Sequence, residues 1–267
     1  MADHVQTEAG TKKRLQEVEV HAHPLSAEGL ALPFEVLDGD ELARSAASSL
    51  GETVAHLPGV RSQSFGEAVG RPIIHGLSSV RVRVMEDRVD SLDVSVSSTD
   101  HATSVETFMA DRIEVLKGAS TLLYGSGAIG GVVDVHSGRI PHRAPEKAVT
   151  GRAEIRYRDN ADKTSSALRL DGGADAFAWH VDGFHREAND YRVPGSAESV
   201  AQLASEGEVL EVFSDSRVLG SRYEQQGGAV GASWLLDRGF MGMAVSRREA
   251  EYGLPGHCLL YTSDAAD

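Results

Sequence analysis

The chain has 267 residues, 41% hydrophobic and 25% charged, the balance of a folded protein rather than a disordered or fibrous one. A formal net charge of −14 argues against sequence-independent nucleic-acid binding, which needs a basic surface against phosphate. The single cysteine, Cys258, excludes an intramolecular disulfide, and no run of about 18 apolar residues marks a membrane-crossing helix, which leaves a membrane β-barrel open.

Residues 1–14 are polar, and Met1 to Gly10 lacks the apolar core of a signal peptide, which leaves open a signal already removed, a true start further upstream or no export. Leu15 to Ala22 alternates apolar and polar like a short strand. Leu42, Ala46, Leu50, Val54 and Leu57 fall at helical spacings, and Pro58-Gly59 stops that pattern. Ile73-Ile74 and Val80 to Met85 read as strands. Thr103 to Glu106 fits a capping box ahead of a short helix through Ala110. Ile113 to Leu116 reads as another strand, Gly125 to Gly131 as a glycine-rich turn and Val132 to Val135 as a β-branched strand. These pieces predict a small α+β domain over 33–145, preceded by an N-terminal segment over 1–32.

After Pro141 to Pro145 the pattern changes. Val149, Gly151, Ala153, Ile155 and Tyr157 alternate with Thr150, Arg152, Glu154, Arg156 and Arg158, so charge lies on one face only. The same alternation recurs at Phe177, Trp179 and Val181 against His180 and Asp182, and again at Val230, Ala232, Trp234 and Leu236. Turn residues separate the runs, and Asn189 to Arg217 forms a long polar insertion. About five strands of roughly ten residues are predicted over 146–257, a length that crosses a bilayer when tilted. A soluble antiparallel sheet with one wet face shows the same alternation.

Four pieces then occur in one order: Leu57-Pro-Gly-Val60, Arg71-Pro-Ile-Ile-His-Gly76, Arg112-Ile-Glu-Val-Leu-Lys-Gly118, and the run from Leu123 to Val133. Together they resemble the plug of TonB-dependent receptors, and the resemblance extends through the strands behind it to His257. It implies an α+β plug domain followed by antiparallel transmembrane β-barrel strands, of which about five are present in this chain. It also implies a cell outer membrane of a Gram-negative bacterium as the location, a plug open to the periplasm, outer-membrane lipid around the strands, and no enzymatic activity. Glu17, Val18, Glu19 and Val20 resemble the TonB box, the short strand that pairs with TonB, a partner energised from the inner membrane. His75, Ala119 and Asp134 depart from the arginine, proline and asparagine usual at those positions. Gly125 to Gly130 also spells a dinucleotide fingerprint, but that fingerprint needs a helix after it, and here a β-branched strand follows.

A narrower patch, made of Ser97 to His101, Leu122 to Gly125, Arg139 to Pro141 and Tyr252 to His257, looks like the branch containing zinc receptors. That resemblance implies Asp100 and His101 as metal ligands, with zinc as the transported cargo and no resident cofactor. A carboxylate and an imidazole are ordinary zinc ligands, though a complete site needs about four. His21, His23, His56, His136 and His142 read as surface or lumen residues. Two alternatives stand beside the zinc receptor: a receptor for a ferric siderophore, haem or another chelate, and a non-transporting plug-like interaction or signalling module. The last ten residues, 258–267, read as foreign. Their first six back-translate into a transposase end sequence used in preparing sequencing libraries, so native sequence is expected to end near His257.

Overall fold

The computed structural model describes residues 34–255 apart from 92, 99, 144, 146 and 196–215. The expected strand at Leu15 to Ala22, the Glu17 to Val20 segment and residues 258–267 lie outside the described residues.

The first part of the described chain runs β1 (Phe34–Asp38), α1 (Gly39–Ser45), α2 (Leu50–Val54), β2 (Val60–Ser64), β3 (Gly70–Ile74), β4 (Val82–Glu86), β5 (Val89–Asp90), β6 (Arg112–Leu116) and β7 (Gly131–His136). One sheet has the order β1-β6-β7-β4-β5, with β4 and β7 parallel; β2 and β3 pair as a separate hairpin. Strand alternation divides β6 and β7 between two environments. Ile113, Val115, Val133 and Val135 face the core with Leu37, Leu42, Leu50, Val54 and Ile74, all of them buried. Glu114, Asp134 and His136 therefore share the opposite face, and Glu114 stands directly across from Asp134.

Two expectations are corrected here. The helical pattern from Leu42 to Leu57 forms two short helices rather than one. Ala46 turns out of the helix (ψ 117°), and Ser49 restarts it by accepting the Glu52 N–H at 3.3 Å as an N-cap. The helix expected after Thr103 does not form at all. The Glu106 carboxylate does not reach back to close a capping box; it accepts the Phe108 N–H at 2.8 Å and an arginine from the second sheet.

The second sheet is an antiparallel meander of β8 (Val149–Arg158), β9 (Lys163–Ala174), β10 (Phe177–Ala188), β11 (Tyr223–Leu236) and β12 (Gly239–Tyr252), neighbours in sequence being neighbours in space. Its strands run from 10 to 14 residues, enough to cross a bilayer when tilted. One face is exposed and largely apolar, with Ile155, Val181, Val230, Trp234, Met241 and Met243 outward. The other carries Arg152, Arg156, Arg169, His180, Asp182 and Arg186 against the first domain. The two-residue turns after β9 and β11 lie at one end of the sheet. The turn after β8 and the long connection after β10 lie at the other.

Candidate functional site

The predicted pair Asp100 and His101 sits on the loop between β5 and β6, and the fold brings the two side chains together. Ser98 donates its hydroxyl to Asp100 Oδ1, and His101 Nδ1 lies 3.0 Å from the same oxygen. The Ser98 hydrogen bond, and after it His101, hold the Asp100 carboxyl below its ordinary range, so it is ionised at neutral pH. An ionised carboxylate only accepts. Neutral His101 therefore donates from Nδ1, which turns the lone pair of Nε2 outward, the form in which imidazole binds a metal. Both side chains are reachable from solvent, at 26% and 44% exposure. Among the described residues no third His, Cys, Asp or Glu joins them within ligand reach.

The loop is held by contacts that the motifs do not announce. Asp93 accepts from the Ser95 N–H at 3.0 Å and the Ser104 N–H at 2.7 Å, and from the hydroxyls of Ser91 and Ser95. Buried Arg71 donates to Ser95 Oγ at 2.6 Å, tying the loop to β3. From the far side, Tyr252 Oη accepts the Ala102 N–H at 3.1 Å, and Arg248 Nη1 donates to the Thr103 carbonyl at 3.2 Å. The loop thus bridges the first domain and β12, at the end of the second sheet where the long connection lies. A serine-flanked aspartate is the one local signal for Asp93; Tyr252 opens a stretch that the sequence singles out, but its hydrogen bond to this loop, like that of Arg248, shows only in the tertiary structure.

The inner wall of the second sheet grips the first domain mainly by charge. Arg152 donates to the carbonyls of Phe108 and Ala110, Arg169 to that of Met109, and Arg156 to those of Ala43 and Ala46. These carbonyls lie in or beside irregular backbone, where no helix or strand partner is at hand, so the arginines complete their hydrogen bonding. Arg169 Nη2 also lies 2.7 Å from Asp111, and Lys163 Nζ lies 2.8 Å from Glu67. Deeper in, Arg139 spans Glu86 at 2.6 Å and Asp182 at 3.4 Å. Fully buried His180 stands between Asp171 at 2.7 Å and Asp182 at 2.8 Å.

A small α+β domain seated by charge against the polar face of a sheet whose other face is apolar has counterparts among known proteins. The family model for the TonB-dependent receptor plug domain matches residues 27–132. Residues 27–132 carry the sequence pattern of that plug domain. The chain is similar to the vitamin B12 transporter BtuB of Photobacterium profundum, 25% identical over 171 residues, 60% of this chain and 28% of that protein. Among solved structures it resembles the copper transporter OprC at a TM-score of 0.66 and 20% identity, over 84% of this chain and 31% of that one. It also resembles the siderophore receptor PirA from Acinetobacter baumannii at a TM-score of 0.63 and 16% identity, over 88% of this chain and 34% of that one. The chain thus spans about a third or less of the length of these relatives. Its second sheet has the fold of barrel strands following a TonB-dependent receptor plug. Such receptors lie in the outer membrane of Gram-negative bacteria and are not enzymes, and the apolar outer face of β8–β12 suits lipid.

Proposed function

We propose that this chain supplies the plug and first barrel strands of an outer-membrane transporter for a metal ion, zinc, with Asp100 and His101 among its ligands. The observation that carries the reading is the 3.0 Å contact between His101 Nδ1 and Asp100 Oδ1, which fixes an exposed imidazole with Nε2 outward. A carboxylate is an oxygen ligand of the kind zinc accepts, and in this reading Asp100 turns from His101 Nδ1 to the ion when zinc binds. In this reading the remaining ligands come from other parts of the receptor. TonB adds as a strand to Glu17, Val18, Glu19 and Val20, with main-chain hydrogen bonds supplying much of the affinity. Pulling on that strand remodels the plug and releases the cargo inward.

Zinc binding by the intact receptor tests the assignment. His101→Ala weakens it at least about tenfold, since disturbing even an outer partner of a metal ligand costs about 10–100-fold; unchanged affinity contradicts it. A second reading, a receptor for a ferric siderophore or another chelate, is favoured by one observation. Asp100 and His101 lack a third ligand among the described residues, as suits a cargo that brings its own. Tight binding of a ferric chelate that is indifferent to His101→Ala, with no zinc binding, selects that reading.

A further inference from the structure

We propose that the plug carries a divalent transition-metal site of its own, formed by Glu114, Asp134 and His136 on the sheet face turned away from the hydrophobic core. The register of β6 and β7 builds it: Glu114 is the cross-strand partner of Asp134, and His136 lies two residues further on the same face. His136 Nε2 is 3.3 Å from a Glu114 carboxylate oxygen and 3.6 Å from an Asp134 carboxylate oxygen. Ligand atoms from all three residues lie within 4.8 Å of one another. For tetrahedral zinc with bonds of about 2.0–2.1 Å, neighbouring ligand atoms stand on the order of 3.4 Å apart. The two imidazole distances already bracket that value.

The groups are also aimed. Arg112 Nε donates to Glu114 Oε1 at 2.9 Å, and the Arg88 N–H donates to Asp134 Oδ1 at 3.1 Å. Each carboxylate so has one oxygen held from outside and the other, Oε2 or Oδ2, turned toward His136. His136 Nε2 is buried and meets hydrogen-bond geometry with neither of them. The Asp134 side chain is 1% exposed, His136 14% and Glu114 18%. Two ionised carboxylates, a neutral imidazole and the Arg112 guanidinium paired with Glu114 carry a net charge of about −1, and burial of unbalanced charge is costly. A bound cation offsets it and gives the two inward carboxylate oxygens and His136 Nε2 a common partner, which they lack among themselves.

One nitrogen and two oxygens suit zinc and its neighbours better than calcium, which takes about 6–8 oxygens. The Arg112 guanidinium competes for Glu114 and moderates the affinity. A fourth coordination position is left for water or for a passing ligand. This site is independent of the Asp100–His101 reading, because it uses a different face of the plug and different elements.

Titrating zinc chloride into the 267-residue chain in detergent micelles tests it by calorimetry. A site is expected that survives Asp100→Ala/His101→Ala and weakens at least about tenfold in Glu114→Gln and in His136→Gln. Far-UV circular dichroism checks that each variant folds. Should either fail to fold, the wild-type chain still decides. Zinc is expected to shift the His136 ring nitrogen resonances, and cobalt(II) to give the visible absorption of a four- or five-coordinate site. Zinc binding unaltered by His136→Gln overturns the proposal, as do ring resonances that zinc leaves in place. A zinc signal lost only in the Asp100/His101 variant overturns this site while supporting the other.

Discussion

Arg186 on β10 places Nη2 2.6 Å from Glu106 Oε1 of the plug, with both side chains almost wholly buried, at 5% and 2% exposure. The pair joins a barrel strand to plug backbone that forms no regular structure. The guanidinium also lies over the rings of Phe108 and Phe184, at 5.3 Å from each centroid. Leaving one member of such a pair without the other strands a charge away from water. Arg186→Met is therefore expected to weaken plug docking by about 3–5 kcal/mol, and Arg186→Met with Glu106→Leu by distinctly less. Urea titration followed by accessibility of a cysteine placed on the plug measures both; equal losses in the single and double variants contradict the coupling.

The loop bearing Asp100 and His101 depends on the charge of Asp93. Burial pushes the Asp93 carboxyl up, but hydrogen bonds from Ser91, Ser95 and Ser104 outweigh it and hold the folded value below 3.8. A carboxyl depressed in the folded state stabilises above its unfolded pKa and loses that contribution as pH falls through the folded value. Amide exchange at Ser95 and Ser104 should therefore be protected from neutral pH down to about pH 4 and quicken below it. Asp93→Asn should remove about 1.5–3 kcal/mol of that protection at neutral pH. Protection that is the same in acid and at neutral pH, or the same in Asp93→Asn, contradicts this role.

Gly231 on β11 faces the segment by which the chain leaves the plug. A Cβ there collides with the carbonyl of Arg139, the residue that bridges Glu86 and Asp182. The neighbour is backbone and cannot swing aside, so Gly231→Ala should cost about 1–3 kcal/mol. It should also loosen the Arg139 bridge, read as faster proteolysis near residue 140. Gly183, whose added Cβ meets only the Gly227 carbonyl at 3.8 Å, serves as the tolerant control.

How far the sequence reveals this arrangement depends on the range of the forces involved. Alternation from Val149 to Arg158 reads correctly as β8, because period two with charge on one face is a local pattern that the sheet keeps. The helix expected after Thr103 fails for a non-local reason: Glu106 is claimed by Arg186, 80 residues later. The break at Ala46 is likewise fixed from afar, since Arg156 binds the carbonyls of Ala43 and Ala46. Asp100 and His101 are adjacent in sequence, so their meeting is legible; the Tyr252 hydroxyl that steadies them is not. His136 reads from sequence as an ordinary surface or lumen histidine. The Asp134-x-His136 spacing shows that two ligands share a strand face, but only the register of β6 places Glu114 beside them.

Zinc uptake through His101 is tested most directly by radioactive zinc accumulation in cells that lack their own high-affinity zinc receptor and are supplied with the complete receptor gene. Accumulation is predicted to require TonB and to fall about tenfold or more in His101→Ala at limiting zinc, with the receptor present in the outer membrane at equal amount. Accumulation that is equal with and without TonB, or equal in wild type and His101→Ala, contradicts that role.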